Sequence, residues 1–266
     1  MASVNKKLAA FDFDYTLINA NSQKYLNKLV IMRENGATRT PSMAELNQFR
    51  YPFEPSDEIK LSNYINKYNR IYSHMHDAYQ IDAHQMRKCL SDIRIGESMI
   101  QLLRRLKQLT FDLIIVSDSN RFAISSILES NGVLDLFEPI ERNVFANESR
   151  VDSAGKLQIE PFNVEFFGVD RLFDCSLVTC RKNICKGAII DSLRPRYESI
   201  VYAGDGTIDY CAGTRLCEKD KFFVKTNSAL MRHLKSDDSK LENQLKCGIV
   251  YWKSGNDILK SIEQQT

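Results

Sequence analysis

Short apolar runs, each followed by polar residues, recur along the chain and are typical of the strands of a parallel sheet. They cover residues 8–13, 111–116, 199–203, 221–224 and 248–251. Between the runs, apolar residues recur at helical spacing, as in residues 99–106 and 122–128. Because strands alternate with helices, the pattern predicts an α/β protein built on a Rossmann-like, doubly wound parallel sheet.

The stretch from residue 21 to residue 95 has a different pattern. It is polar, rich in Tyr, Asn and Gln, and interrupted by prolines. We therefore predict a small helical insertion at 21–95, placed after the first strand of a core formed by residues 1–20 and 96–266. A hairpin is predicted separately at 150–157, with its turn centred on Gly155.

The overall composition excludes several classes of protein. Of the 266 residues, 43% are apolar and 26% are charged, which is typical of a globular chain and not of a disordered one. The formal net charge is only +2, so we expect neither nucleic acid nor a membrane as a partner. No uncharged apolar stretch approaches the ~18 residues of a membrane helix, and the N-terminus resembles no export signal. These features predict a cytoplasmic protein.

The seven cysteines fit the same interpretation. Their odd number, without an export signal, favours reduced thiols over a disulfide framework. Four residues separate Cys175 from Cys180 and Cys180 from Cys185, a wider spacing than in the Cys-x2-Cys pairs of structural zinc sites. The spacing therefore favours packing thiols over a zinc site, and Cys211 and Cys217 are interpreted in the same way.

Polar side chains follow three of the predicted strands. They are Asp12 and Asp14 after the first run, Ser117 and Asp118 after the second, and Asp205 after the third. Asp209 lies one helical turn beyond the third group, and Lys186 lies in a helical stretch before the third run. Ligands of a doubly wound sheet bind at the carboxyl ends of its strands, so we expect these groups to converge. The two-residue spacing of Asp12 and Asp14 predicts that both side chains share one face of an extended chain.

Such a convergence of carboxylates, a lysine and a hydroxyl has a specific chemistry. The carboxylates repel one another unless a cation neutralises them, and hard oxygen ligands with room for water favour Mg²⁺. A metal ion, a lysine and a hydroxyl form an anion site that suits phosphate. One carboxylate can attack phosphorus, and a second can transfer the proton of the leaving group. The pattern therefore predicts a phosphoryl-transfer site.

Four motifs in this order resemble those of the haloacid dehalogenase (HAD) phosphatases. They are Asp-Phe-Asp-Tyr-Thr-Leu at 12–17, Ser117, Lys186 and Gly-Asp-Gly-Thr-Ile-Asp at 204–209. The segments 21–22, 117–120, 180–186 and 204–211 further resemble the subgroup of phosphoethanolamine/phosphocholine phosphatases and pyridoxal-phosphate phosphatase. The motifs run from residue 12 to residue 211, which is nearly the whole chain. The resemblance implies a HAD core, with the insertion as a cap that closes on the substrate and excludes water.

The resemblance also implies which residues carry out catalysis and bind the metal. Asp12 is the expected nucleophile, forming an aspartyl-phosphate, and a Mg²⁺ ligand. Asp14 is the expected general acid/base, and its main-chain carbonyl the expected metal ligand. Asp205 is expected to bind Mg²⁺ directly, and Asp209 to act near the metal, with water between them as one option. Ile208 stands where the subgroup usually has Asn, so one polar contact near the metal is lost.

Further residues are expected to bind the substrate. The resemblance implies that Thr16 and Ser117 hold the phosphate, with Lys186 balancing the charge on the nucleophile and the transferring group. Asp118 and Gln23 are the candidates for contact with the rest of the substrate. Gln23 stands where relatives that accept phosphoethanolamine or phosphocholine usually have an acidic residue, so the site has one negative charge fewer for a cationic head group.

The expected function is Mg²⁺-dependent hydrolysis of a small phosphorylated metabolite. Pyridoxal phosphate, phosphoethanolamine and phosphocholine are the expected substrates, and the neutral Gln23 favours pyridoxal phosphate. Two alternatives remain open from the sequence: a phosphatase for a metabolite such as phosphoserine, and a non-catalytic phosphate-binding protein with the same fold. The segment 117–120 also suits the N-cap of a helix, since Ser, Asp and Asn all cap helices well.

Overall fold

The computed structural model describes residues 6–36, 39–51, 64–162, 175, 177, 180, 184–236 and 241–264. Within this part of the chain a seven-stranded sheet is formed by β1 (Lys7–Phe11), β2 (Phe111–Asn120), β3 (Val144–Val151), β4 (Leu157–Glu160), β5 (Ser199–Gly204), β6 (Lys221–Lys225) and β7 (Gly248–Trp252). The strand order is β4-β3-β2-β1-β5-β6-β7. All neighbours are parallel except β3 and β4, which form an antiparallel hairpin.

The sheet confirms the predicted α/β class and its doubly wound order. β1 lies between β2 and β5, so the chain builds the sheet first to one side of β1 and then to the other. The carboxyl end of β1 is therefore a topological switch point, where open α/β sheets bind ligands. The predicted hairpin is also present, with Val151 opposite Leu157. The parallel part of β3 was not predicted, because only its first half is buried and its second half is polar.

Helices flank the sheet and fill the connections. They are α1 (Ser22–Tyr25), α2 (Asn27–Glu34), α3 (Met43–Gln48), α4 (Tyr64–Tyr79), α5 (Ala83–Leu90), α6 (Glu97–Gln108), α7 (Arg121–Ser130), α8 (Ile140–Asn143), α9 (Lys186–Leu193), α10 (Tyr210–Gly213), α11 (Ala229–Leu234) and α12 (Gly255–Glu263). The first six lie between β1 and β2 in sequence. None of the helices in the described ranges is long and apolar enough to cross a membrane.

The two faces of the sheet bury separate apolar clusters. Side chains alternate along β1, so Leu8 and Ala10 pack on one face, and Ala9 and Phe11 pack on the other. The cluster around Phe11 continues without a break into α4 and α5, which contribute buried residues such as Tyr72. The helices that follow β1 thus share a core with one face of the sheet.

The chain turns immediately after β1. The strand ends at Phe11, and residues 13–17 form a wide turn closed by a hydrogen bond from the Ile18 N–H to the Phe13 carbonyl. Tyr15 has a φ of 56° inside this turn. The turn begins at Phe13, so Asp12 and Asp14 do not lie on one continuous strand, but both have extended backbone angles and the charges of Asp118 and Asp205 act on both carboxyl groups.

Candidate active site

Three carboxylates meet at the carboxyl end of β1, as the topology requires. Asp12 follows β1 directly, Asp205 follows β5, and Asp209 lies just before α10. One oxygen atom from each carboxylate lies within 4.8 Å of the corresponding atoms of the other two. Residues separated by almost two hundred positions in sequence thus form one cluster, which we call the carboxylate cluster.

Lys186 is the cation that faces this cluster. It is the first residue of α9, and its Nζ lies 2.8 Å from Asp12 Oδ1 and 2.7 Å from Asp209 Oδ1. Only 1% of its side chain is exposed. Burial alone would lower the pKa of Lys186, but the charges of Asp12 and Asp209 hold that pKa above its ordinary value. The lysine therefore stays charged against the cluster.

Asp209 is saturated with hydrogen-bond donors. Its Oδ1 accepts from Lys186 Nζ at 2.7 Å and from the Tyr202 hydroxyl at 2.7 Å. Its Oδ2 accepts from the backbone N–H groups of Asp205 at 3.0 Å and Gly206 at 2.8 Å. The side chain is completely buried. This arrangement suits a residue that positions Lys186 and the end of β5.

Asp205 is held at the end of β5 by its neighbours. The hydroxyl of Thr16 donates to its Oδ1 at 3.2 Å, and Gly204 permits a close approach, since a Cβ there would lie 2.5 Å from the Asp209 carboxylate. Burial and the nearby charge of Asp209 raise the pKa of Asp205 to about 6. Thr16 was expected to bind phosphate, and in this structure its hydroxyl donates a hydrogen bond to the Asp205 carboxylate.

The carboxylate cluster carries more negative charge than its surroundings neutralise. Burial, and then the charge of Asp209, raise the pKa of Asp12 well above its ordinary value, while Lys186 acts in the opposite direction. Lys186 is in direct contact with two of the three carboxylates, and Lys225 exerts a smaller effect on Asp205. A hard divalent cation would relieve this repulsion, and the all-oxygen donor set fits Mg²⁺.

Asp14 contacts the start of α1. Its Oδ1 accepts a hydrogen bond from the Ser22 N–H at 3.0 Å. Burial raises the pKa of Asp14 to about 7, although the hydrogen bonds from Ser22 act in the opposite direction. A carboxyl group with a pKa near neutrality suits proton transfer to and from a substrate.

The second strand ends beside Asp12 and Asp14. The buried Ser117 Oγ accepts the Ser119 N–H at 3.2 Å, and the Asp118 charge contributes to the raised pKa values of both Asp12 and Asp14. The N-cap of α7 is Asn120, three residues further on. The helix N-cap predicted within segment 117–120 is therefore present at Asn120. Ser117 and Asp118 do not cap the helix and are available for other contacts.

A chain of hydrogen bonds joins α1 to this strand end through α4. The Gln23 Nε2 donates to the Tyr64 hydroxyl, which donates to the Asp118 carbonyl at 2.8 Å. Asn147 of β3 donates to the same carbonyl at 2.8 Å. Gln23 is 4% exposed, and its Oε1 has no hydrogen-bond partner among the described residues.

Sequence analysis missed three residues of the site. Tyr202 lies in an apolar strand and looked like a core residue, although a tyrosine buried in a strand usually needs a partner for its hydroxyl. Tyr64 lies in the segment predicted only as a helical insertion. Asn147 lies on the strand that was not predicted. The signal for Tyr202 was present, whereas the other two depend on contacts distant in sequence.

Comparison with known proteins shows the family of this chain. A family model described as Putative Phosphatase matches residues 7–266. Pyridoxal phosphate phosphatase PHOSPHO2 of Mus musculus is 27% identical, over 97% of this chain and 98% of the relative. Thiamine phosphate phosphatase-like protein of Arabidopsis thaliana is 28% identical, over 95% and 92%. Phosphoethanolamine/phosphocholine phosphatase of Gallus gallus is 23% identical, over 97% and 88%.

Solved structures show the same fold. A substrate-bound phosphoserine phosphatase complex has a TM-score of 0.55 at 17% identity, covering 96% of this chain and 98% of that one. A phosphoserine phosphatase solved as a phospho-aspartyl intermediate analogue has a TM-score of 0.52 at 16% identity, covering 97% and 99%. This chain belongs to the family described as Putative Phosphatase, and it is a phosphomonoester hydrolase of the HAD type.

Proposed function

We propose that this protein hydrolyses small phosphomonoesters in a Mg²⁺-dependent reaction that passes through a phosphorylated Asp12. The observation that carries the proposal is the buried contact of Lys186 with Asp12 and Asp209, beside the Asp205 carboxylate. A lysine so completely buried needs its paired carboxylates, and the carboxylates need further positive charge. The Mg²⁺ ion that accompanies a phosphate ester would supply that charge.

In the first half of the proposed reaction, Asp12 acts as nucleophile. One carboxylate oxygen forms a bond to phosphorus while the ester P–O bond breaks, and Asp14 gives its proton to the departing oxygen. The pKa of about 7 for Asp14 supports this role, because a useful fraction of the group is protonated near neutrality. Bound Mg²⁺, held by Asp12, Asp205 and the Asp14 carbonyl, would neutralise charge on the transferring group.

In the second half, water hydrolyses the aspartyl-phosphate. Asp14, now deprotonated, takes a proton from the water molecule. The oxygen of the water forms a bond to phosphorus while the bond between phosphorus and the Asp12 carboxylate breaks. Inorganic phosphate leaves and Asp12 returns to its starting state. Lys186 stays paired with the Asp12 carboxylate and offsets the charge that develops there. Ser117 is proposed to bind the phosphate. Thr16 donates a hydrogen bond to Asp205 and so positions that carboxylate.

We propose that the segment 21–95 is the cap of the enzyme. Its first helix begins at Ser22, with four residues between it and the turn at 13–17. Two hydrogen bonds, of 2.8 and 2.9 Å, join the Asn69 amide of α4 to the Ile159 backbone of β4. The segment also contributes Gln23 and Tyr64 to the site. A cover of this kind excludes water while the phosphoryl group is transferred.

We propose pyridoxal phosphate as a substrate in preference to phosphocholine. Gln23 is neutral and buried, is linked through Tyr64 to the Asp118 carbonyl, and has an Oε1 without a hydrogen-bond partner among the described residues. A neutral amide at this position offers no counter-charge to a quaternary ammonium group and can form hydrogen bonds with a polar ring. The name of the mouse relative supports the same substrate.

The experiment that tests the proposed function is a substrate comparison with purified protein. Hydrolysis of an aryl phosphate with and without Mg²⁺ establishes the metal requirement. Values of kcat/KM for pyridoxal phosphate, phosphocholine, phosphoethanolamine and phosphoserine then rank the substrates. We expect pyridoxal phosphate to be hydrolysed at least as efficiently as phosphocholine. A strong preference for phosphocholine contradicts the substrate assignment, and aryl phosphate hydrolysis that does not depend on added metal contradicts the metal assignment.

A further inference from the structure

Four cysteine thiols meet at a second place in the molecule. The Sγ atoms of Cys175, Cys180, Cys185 and Cys211 all lie within 4.8 Å of one another. Cys185 and Cys211 are buried, and the other two are partly buried. None of the seven cysteines, all of which belong to the described residues, forms a disulfide. We call these four residues the thiol cluster.

The distances within the thiol cluster match a mononuclear metal site. Cys211 Sγ lies 3.4 Å from Cys175 Sγ and 3.6 Å from Cys185 Sγ. A tetrahedral zinc site with Zn–S bonds of ~2.3 Å places its sulfur atoms ~3.8 Å apart. The observed separations are far longer than the ~2.05 Å of a disulfide bond. Four sulfur atoms at these separations, without covalent bonds between them, can coordinate one metal ion.

The thiol cluster joins two parts of the chain that carry the catalytic groups. Cys185 is the N-cap of α9 and directly precedes Lys186, whereas Cys211 lies in α10, two residues after Asp209. Gly187 makes this contact possible, because a Cβ at that position would lie 2.7 Å from both the Sγ and the carbonyl oxygen of Cys211. The approach of α9 to α10 therefore has two local causes, the thiols and a glycine.

We propose that the thiol cluster binds one Zn²⁺ ion, with the four cysteines as thiolate ligands. Binding releases the thiol protons to solvent and forms four Zn–S bonds, with no change in oxidation state. Four protein ligands leave no open position for a substrate, so the ion is structural. Its effect is to fix the segment that ends in Lys186 against the segment that begins after Asp209.

The sequence alone favoured packing thiols, and the structure supplies the reason for a different conclusion. The spacing of Cys175, Cys180 and Cys185 is unlike that of a common zinc motif, and the fourth ligand is 26 residues further along the chain. Only the fold brings Cys211 to the others. Sulfur ligands also separate this site chemically from the carboxylate cluster, since thiolates favour zinc and carboxylates favour magnesium.

The test is a metal analysis of the full chain, purified without chelator from zinc-containing medium and then desalted. We expect about one zinc per chain by inductively coupled plasma mass spectrometry. Replacement by Co²⁺ should give the thiolate-to-cobalt charge-transfer absorption of a tetrahedral sulfur site. A carboxylate site cannot produce this absorption, so the readout is independent of phosphatase activity and of the proposed substrate.

Variants locate the ion. The double variant Cys175→Ser/Cys180→Ser should lose the zinc and the charge-transfer band, whereas Cys217→Ser, which removes a thiol outside the cluster, should retain both. The proposal is overturned if the wild-type chain holds less than about a tenth of an equivalent of zinc, if it holds iron instead, or if the double variant keeps its zinc. Disulfide cross-links among the four cysteines in the freshly purified wild type would overturn it equally.

Discussion

The carboxylate cluster and the thiol cluster adjoin the same junction of α9 and α10, yet they differ in almost every property. Oxygen ligands, a buried lysine and several backbone donors make up the first. The second consists of sulfur atoms in contact with one another. Lys186 contacts the carboxylate cluster, and its neighbour Cys185 belongs to the thiol cluster. The start of α9 thus contributes Lys186 to the proposed catalytic site and Cys185 to the proposed structural metal site.

Ligand chemistry distinguishes a reaction site from a structural site. In the carboxylate cluster, burial and mutual repulsion raise the pKa of Asp12, so the group responds strongly to an added cation or anion. In the thiol cluster, four ligands complete the coordination of an ion and leave no position for a substrate.

The largest effect is expected for Asp12→Asn. The substitution keeps the shape of the side chain but removes the attacking oxyanion and one metal ligand, so kcat should fall by at least ~10³-fold. Zinc content should not change, because the thiol cluster is intact. Steady-state kinetics on an aryl phosphate and metal analysis measure the two quantities. Asp135→Asn, at an exposed position, is the matched control, and near-normal turnover of Asp12→Asn would refute the nucleophile assignment.

Removal of Mg²⁺ is expected to abolish activity without affecting the thiol cluster. Gel filtration into magnesium-free buffer should leave a chain that hydrolyses no aryl phosphate but still holds about one zinc. Added Mg²⁺ should restore turnover, whereas Ca²⁺ should bind and support little, since its looser coordination does not hold the nucleophile in line. A preparation that remains fully active without Mg²⁺, or that loses both metals together, contradicts the separation of the two sites.

The contrast between the clusters also shows what the sequence can predict. Asp12 and Asp205 could be found because each directly follows a strand with a clear pattern, and parallel strands bring their carboxyl ends to one edge, whereas Lys186 was identified by its resemblance to the third HAD motif. The partners of these residues were harder to find. The Tyr202 hydroxyl was hidden in an apolar strand, and Cys211 joins its cluster only through the close packing of α9 against α10.

A smaller effect is expected for Gln23→Asp, which tests whether residue 23 selects the substrate. A new negative charge at this buried position should favour a cationic head group, so the ratio of kcat/KM for phosphocholine to that for pyridoxal phosphate should rise by ~10–100-fold. Gln23→Glu is a second acidic variant of different length. An unchanged ratio in both would show that residue 23 does not select the substrate.

The smallest effect is expected for Tyr202→Phe, which removes one of the donors to Asp209. Lys186 should be held less firmly against Asp12, so we expect kcat to fall by ~5–10-fold with little change in KM. The matched control is Tyr197→Phe, since the Tyr197 hydroxyl donates to Asp112 away from the site. Equal kinetic effects of the two substitutions would argue against a positioning role for Tyr202.

The most direct test of the central claim is to trap the phosphorylated enzyme. Asp14→Asn should still allow attack on an aryl phosphate, whose leaving group needs no proton, but should slow the hydrolysis of the intermediate. Acid quenching followed by peptide mass spectrometry should then find one phosphoryl group on Asp12, and none in the double variant Asp12→Asn/Asp14→Asn. Phosphate on another residue, or an unmodified Asp12 under conditions of measurable turnover, would contradict the proposed mechanism.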